Sequence, residues 1–428
     1  MDNLFIGLKI INDLSKIVLK YLSRSHINLL YEKLENVNIK NIIKYDSKLM
    51  VKNKEKIFKE NIFRLCAKNG KFENMKWLLK NKYPYDDHII FAYAAKNGNL
   101  EIMKWLKKKK FSYDEYTFSC AAINGNLENI KWLFDNKFPY DQSVFSYTAK
   151  NGNLENMKWL LKNKFPFNAS TFEYASCNGN LENMKWLFEN KFPINEYVFV
   201  YQAESGNLEN MKWLLENKFP YNARTFGFAA RNGNLENMKW LMKNKFPFDE
   251  NTFMYAAENG NIENMKWLLK NKFPFNHETF AYAAKNGNLE NMKWLLKNKF
   301  PYDECTFAYA AENGNLENMK WLLKNQFPYD NKTFSYAAEK GNLENMMWLL
   351  ENKFPFDEHV FSFAVLNKNI EILKWLLKND FPRSEIAMAT ALDIGNKEII
   401  DFLIKNGFPY DRYEKKLIRY EMLSEDLE

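Results

Sequence analysis

Histidine and cysteine are scarce in this chain, with four of each among 428 residues. Cys66, Cys120, Cys177 and Cys305 lie far apart, and no Cys-x-x-Cys or Cys/His spacing occurs. That argues against a zinc finger and a disulfide scaffold. Dispersed thiols suit a reducing compartment. His26, His88, His277 and His359 are equally scattered. Copies distant in a repeat protein stay distant in space, so these imidazoles cannot converge on a metal or an acid/base site. There is no Gly-rich phosphate loop of the Walker type. Long apolar runs are missing too: none reaches the ~18–20 residues needed to span a bilayer. The opening MDNLFIGLKII carries an acid where a secretory leader carries positive charge. An intracellular, cytoplasmic protein is expected. Charge of neither sign dominates, since 61 Lys/Arg face 53 Asp/Glu. Residues 1–62 hold 12 basic and 7 acidic residues of that total. The excess falls short of the dense patch of a dedicated nucleic-acid binder.

What the chain does have is tryptophan in step. The twelve Trp stand at 77, 105, 132, 159, 186, 213, 240, 267, 294, 321, 348 and 375. The first gap is 28 residues and every later one is 27. Chance does not keep phase over that length, so the chain is built from repeats. About thirteen copies run from Asn61 to Asp411. Stacked units of this kind form one continuous body without an internal boundary.

One copy can be read physically. Thr171–Cys177 suggests a short first helix, with Thr171 as its N-cap and the small pair Ala175-Ser176 allowing close contact. Asn178-Gly179 ends it, Gly supplying the left-handed turn. Asn180 caps a second helix over Leu181–Lys191, which Phe192-Pro193 stops. In the copy before it, Leu154, Met157, Leu160, Leu161 and Phe165 make one broad apolar stripe. Trp159 lies on another flank. A helix apolar on two sides must be covered on two sides. The Trp column (Trp159, Trp186, Trp213, Trp240, Trp267, Trp294, Trp321, Trp348) is therefore expected to be the stacking core. Lys158, Lys185, Lys212 and Lys239 alternate with Glu155, Glu182, Glu209 and Glu236, which reads as a solvated mixed face.

The ends depart from the pattern. Residues 1–60 carry helical Leu/Ile spacing and read as an N-terminal cap. The segment DLSKIVLKYLSRSHINLLYEKL also faintly resembles an F-box without its Leu-Pro opening. Residues 412–428 read as a C-terminal capping helix. Lys368 replaces the turn Gly in the twelfth copy, and Phe402 replaces Trp in the thirteenth.

The repeat AAxxGNLENMKWLLKNxFP resembles the ankyrin repeat: two alanines, a spaced glycine, then a Leu-rich second helix. The likeness covers about Asn61–Asp411. It departs in its period, 27 rather than the usual 33, and in lacking the Thr-Pro-Leu-His opening. The array is most similar to the short, Trp-containing ankyrin arrays of giant DNA viruses and some protists. The resemblance implies an all-α, ankyrin-like solenoid of helix-turn-helix repeats with short inter-repeat loops. It also implies a scaffold for protein–protein interaction, without catalytic activity or cofactor.

Variation between copies concentrates in the loop pair before each first helix, at the position between Phe and the next aromatic, and just after the alanine pair. Glu173, Glu204, Arg224, Arg231, Met254 and His277 are the first candidates for partner contact, on the concave face and loop tips. The expected partner is a protein of unknown identity. No catalytic residue, metal, small-molecule substrate, membrane or nucleic acid is expected, and the chain should be a monomer. Two other readings stand beside this one. In the first, residues 1–60 make the protein an adaptor that recruits its bound partner to a ubiquitin ligase. In the second, it is a structural or nucleic-acid-associated protein.

Overall fold

The computed structural model describes residues 63–410, apart from 83, 84 and 86–88. The two expected caps and the adaptor-like segment lie outside the described residues, as do His26 and His88. Among the described residues every regular element is an α-helix. Helices of eight to ten residues alternate through the array, the first of each pair running, for example, over Glu278–Asn286 and the second over Leu289–Lys297. The chain divides into two compact units between Val144 and Phe145, where a continuous body was expected.

The copy at 276–300 shows how the sequence makes the pair. Asn276 starts the first helix by accepting from the Glu278 N–H at 3.0 Å. In the copy singled out above, Asn168 plays that part towards Ser170. The first helix there covers Ala169–Asn178, and Thr171 is fully buried inside it rather than capping it. The cap falls one turn earlier because the Asn side chain reaches its own turn's free N–H. Gly287 closes the first helix at φ 85°. A Cβ there would also lie 2.6 Å from Oδ1 of Asn313 in the next copy, so both backbone and packing require glycine. Asn288 then caps the second helix, accepting from Glu290 N–H at 3.0 Å and Asn291 N–H at 3.4 Å.

The second helix stops before Phe-Pro is reached. It ends at Lys297, and Asn298 folds its side-chain amide back onto the Trp294 carbonyl at 2.7 Å. Lys299 turns left-handed at φ 60°. Its N–H donates to the Leu296 carbonyl at 3.0 Å, and that of Phe300 donates to Leu295 at 3.1 Å. This is a Schellman ending with lysine where glycine is usual. The second helix expected over Leu181–Lys191 likewise ends at Glu189, for the same reason. Left-handed geometry costs a Cβ-bearing residue about 1–2 kcal/mol.

Neighbouring first helices pack directly on one another, and each second helix packs on its own first helix. Met292, Leu295, Phe280, Ala283 and Ala284 are fully buried in this copy. Two asparagines bond backwards. Asn286 donates to the Glu258 carbonyl at 3.0 Å, and the buried Asn291 donates to the Gly260 carbonyl at 2.6 Å. The second bond recurs down the array, as in Asn237 to Gly206 and Asn318 to Gly287. In the first unit the same bond joins Asn129 to Gly98 at 2.8 Å.

Aromatic rings fill the loop side of the core. Phe280 meets Phe327 at 5.0 Å between ring centroids, and Tyr302 lies on Phe327 at 4.1 Å. The Trp column is half-buried rather than in the fully buried core. Trp159, Trp186, Trp213, Trp240, Trp267, Trp294, Trp321 and Trp348 each lean on the Phe that follows their own helix, Trp294 on Phe300 at 5.7 Å. The indole flank lies beside the Met/Leu stripe, so one face meets the core and the rest meets solvent.

Two substitutions separate these devices. Asn291→Ala removes the inter-repeat bond and leaves the half-buried Gly260 carbonyl without that donor. It should lower the unfolding free energy in urea by about 2 kcal/mol. Lys272→Gly relieves left-handed strain at the cost of a more flexible unfolded chain. It should raise stability by about 0.5–1 kcal/mol in the same measurement.

Candidate interaction surface

In the second unit the first helices carry an aromatic column half-exposed to solvent. Tyr147 lies 5.7 Å from Tyr174, Phe228 5.2 Å from Tyr255, Tyr282 5.6 Å from Tyr309, and Tyr309 6.0 Å from Tyr336. The ring sits on a flank away from the buried Phe and Ala of its helix, where it meets the equivalent ring next door. Burial pushes the Tyr309 phenol up to about 12, with Tyr282 and Tyr336 adding to the shift. Burial also raises the phenols of Tyr201 and Tyr255. These hydroxyls stay protonated at any physiological pH, and the column is a neutral contact surface.

Beside it runs the column that follows the alanine pair. Here charges pair between copies. Arg231 reaches Glu258 at 3.1 Å and Glu204 at 3.8 Å. Its guanidinium lies 6.0 Å above the Phe228 ring and 5.9 Å above Tyr255. Further along, Glu312 is shared by Lys285 at 3.4 Å and Lys340 at 3.7 Å. Lys285, Glu312, Asn313 and Lys340 line a shallow cleft of about 300 Å³. Glu204, Arg231 and Glu258 thus make an acid–base–acid group, and Lys285, Glu312 and Lys340, the last one position beyond the column residue Glu339, a base–acid–base one. Partly exposed pairs of this kind are worth at most about 1 kcal/mol each. Their consequence is a pattern of charge rather than stability.

The six sequence candidates separate. Glu204 and Arg231 belong to one cluster. Arg224 is exposed and donates to the Tyr197 hydroxyl at 2.9 Å. His277 is exposed at a loop tip, 3.4 Å from Asp303. Glu173 accepts from the Asn195 amide. Met254 is only 6% exposed and is a packing residue, which corrects the reading of it as a contact site. Its position points at the neighbouring first helix: a Cβ at the equivalent Gly227 would lie 2.9 Å from the Tyr255 ring. Val200 and Ala281, at the same position, are buried as well. At these buried copies variation is not a sign of ligand contact. The aromatic column was missed because Tyr between Phe and Ala reads as core. Its signal was the fixed step that puts it nearly half a turn from the Phe and over a quarter of a turn from the first Ala.

Burial also raises the Cys177 thiol, which leaves little thiolate for nucleophilic chemistry. Among the described residues no His/Cys/Asp/Glu cluster has the makings of a metal site. No helix among them is long and apolar enough to cross a membrane.

The raised Tyr309 pKa has a testable sign. The folded state holds the phenolic proton above the unfolded value, so the contribution is complete below pH 10 and is lost as pH rises from there towards about 12. An ultraviolet titration of the folded protein should show a tyrosinate step delayed into that interval. Tyr309→Phe should remove it, and unfolding in urea should bring it back to the ordinary range.

A search of curated protein sequences returns no match. Among solved structures, the pentatricopeptide repeat protein PPR10 from maize aligns at 10% identity over 86% of this chain and 71% of that one, with a TM-score of 0.31. The same protein in complex with an 18-nt psaJ RNA element aligns at 9% identity over 81% of this chain and 63% of that one, with a TM-score of 0.38. Likeness at this level bears on neither fold nor ligand. The model "Ankyrin repeats (3 copies)" matches residues 62–144, 118–198, 199–279, 226–305 and 280–360. These matches take in more than half of the sequence, in register with the helix pairs, and the chain belongs to the ankyrin-repeat family.

Proposed function

We propose that the protein is a non-catalytic scaffold that binds a partner protein on its first-helix face and loop tips. The observation that carries this reading is the contrast between the two helices of the pair. The second helix repeats almost unchanged, while the first presents a neutral aromatic column beside charges that change from copy to copy. Protein interfaces favour such a mixture of aromatic surface and arginine. Arg224, Arg231, Glu204, Glu173 and His277 are the contacts we assign, with Lys285 and Lys340 added from the cleft. The short period and the Trp column resemble the arrays of giant DNA viruses and protists, which favours a host protein in the cytoplasm as partner. A protomer that buries its own repeat faces internally is suited to act as a monomer.

The test uses the full chain as bait in host-cell lysate. Combining Arg224→Ala, Arg231→Ala, Lys285→Ala and Lys340→Ala removes exposed side chains only, so the circular dichroism and melting temperature should stay within a few degrees of the parent. Partners retained by the parent should fall at least tenfold in the variant. Equal recovery of every partner would sink the assignment of this face. A second bait starting at residue 61 separates the adaptor reading: loss of ubiquitin-ligase subunits with unchanged capture of other partners would favour it.

A further inference from the structure

A second column of charge lies on another part of the repeat, where each second helix ends. In the second unit the left-handed residue there is lysine in six successive copies: Lys164, Lys191, Lys218, Lys245, Lys272 and Lys299, at φ 59–60°. All six are exposed. Lys239, Lys266 and Lys293, earlier on the same helices, are each tied to a glutamate at 2.7 Å. None of the six has a carboxylate at ion-pair distance among the described residues. Lys243, Lys270 and Lys297 add a further basic residue to the last turn of three neighbouring helices.

Three features argue for a ligand. Lysine occupies a conformation that glycine would hold without strain, and Gly407 shows that the array can use it there, at φ 69°. The chemistry is the same in each copy, unlike that of the first-helix face, so it matches a ligand that is itself a uniform chain of negative charge. Three residues after each of Lys245, Lys272 and Lys299 stands an exposed ring. Phe248, Phe275 and Tyr302 keep 41%, 36% and 38% of their surface in solvent, with one side resting at 4.1 Å on the next Phe. Exposed cations and accessible rings in the same loop are the two parts that a platform for unpaired bases needs.

We propose that this edge of the second unit binds the backbone of single-stranded nucleic acid without sequence preference. The lysine column lies along the phosphates, and the rings are offered to the bases. The proposal does not depend on the protein-binding face described above.

The test is fluorescence anisotropy of the full chain with a labelled oligothymidylate of ~30 nucleotides across a salt series. Binding at low salt is expected, with log K falling against log salt at a slope of about −4 if six phosphates are neutralised. The triple variant Lys245→Gly, Lys272→Gly, Lys299→Gly suits the left-handed backbone and should melt no lower than the parent. Its slope should be shallower by about 2. Lys245→Gln, Lys272→Gln, Lys299→Gln copies the residue that stands at 326 and should behave alike. The four-alanine variant of the first-helix face should bind the oligonucleotide as the parent does. No binding at low salt would overturn the proposal, as would an unchanged slope in both triple variants. So would equal competition by a duplex of the same length or by polyglutamate, since either would mean that any polyanion suffices.

Discussion

The array depends on one half-buried hydrogen bond, from the buried Asn amide in the first turn of a second helix to the carbonyl of the left-handed Gly one copy back. That carbonyl ends a first helix, where backbone oxygens lose their intrahelical partners. Left half-buried without a donor it would be costly, and the Asn of the following copy supplies one. The same Gly must lack a side chain, because the next copy's other Asn packs against it. A copy therefore completes its own polar bonding only when a neighbour is present. Apolar burial supplies most of the favourable free energy, but this bond fixes the distance and register at which the Met, Leu and Phe columns meet. In three copies towards the ends of the array the position is apolar instead: Ile102, Ile372 and Ile399 stand where the others have Asn, and are buried.

A frame fixed in this way leaves the rest of each copy free. Asn, Met, Leu, Phe, the alanine pair and the turn Gly cannot vary without disturbing two copies at once. The Tyr/Phe column, the residue after the alanines and the loop pair can, because each meets solvent on at least one side. The exception is instructive. Ser176 and Gln202 stand where most copies have Ala, and they are buried. Gln202 donates to the Ser176 carbonyl at 2.5 Å and accepts from Asn210 at 2.8 Å. A polar pair enters the core here because it bonds to the asparagine column already present.

Much of this was legible in the sequence. The Trp step gave the period, and Asn-Gly gave the break between helices. The amphipathic second helix gave the need for neighbours. Three things were hidden. Asn291 sits inside the first turn, past the cap, where Asn is a poor helix former, and its partner one copy back explains it. Lys299 and its equivalents read as ordinary surface lysines before a Phe-Pro stop, because φ cannot be seen in a residue that has a Cβ. Met254 and Gly227 looked like variable surface, since variation alone does not tell an exposed position from a buried one. The Trp series misled in the opposite sense: what marks the period most clearly is only half-buried, while the quieter Met and Leu are fully enclosed.

The charged columns show why substitutions in one copy should not be read singly. Arg231 is held by glutamates from the copies on both sides, and Glu312 by lysines from both. Removing Arg231 therefore deletes one positive charge and also frees two negative ones, turning a nearly neutral stretch acidic. Removing Glu312 has the mirror effect. Each such residue sets the charge of three copies, and a partner that spans them would meet a pattern no single copy contains. Nearly identical repeats can in this way present a distinct surface, with the difference stored in pairs between neighbours while each unit keeps the same core.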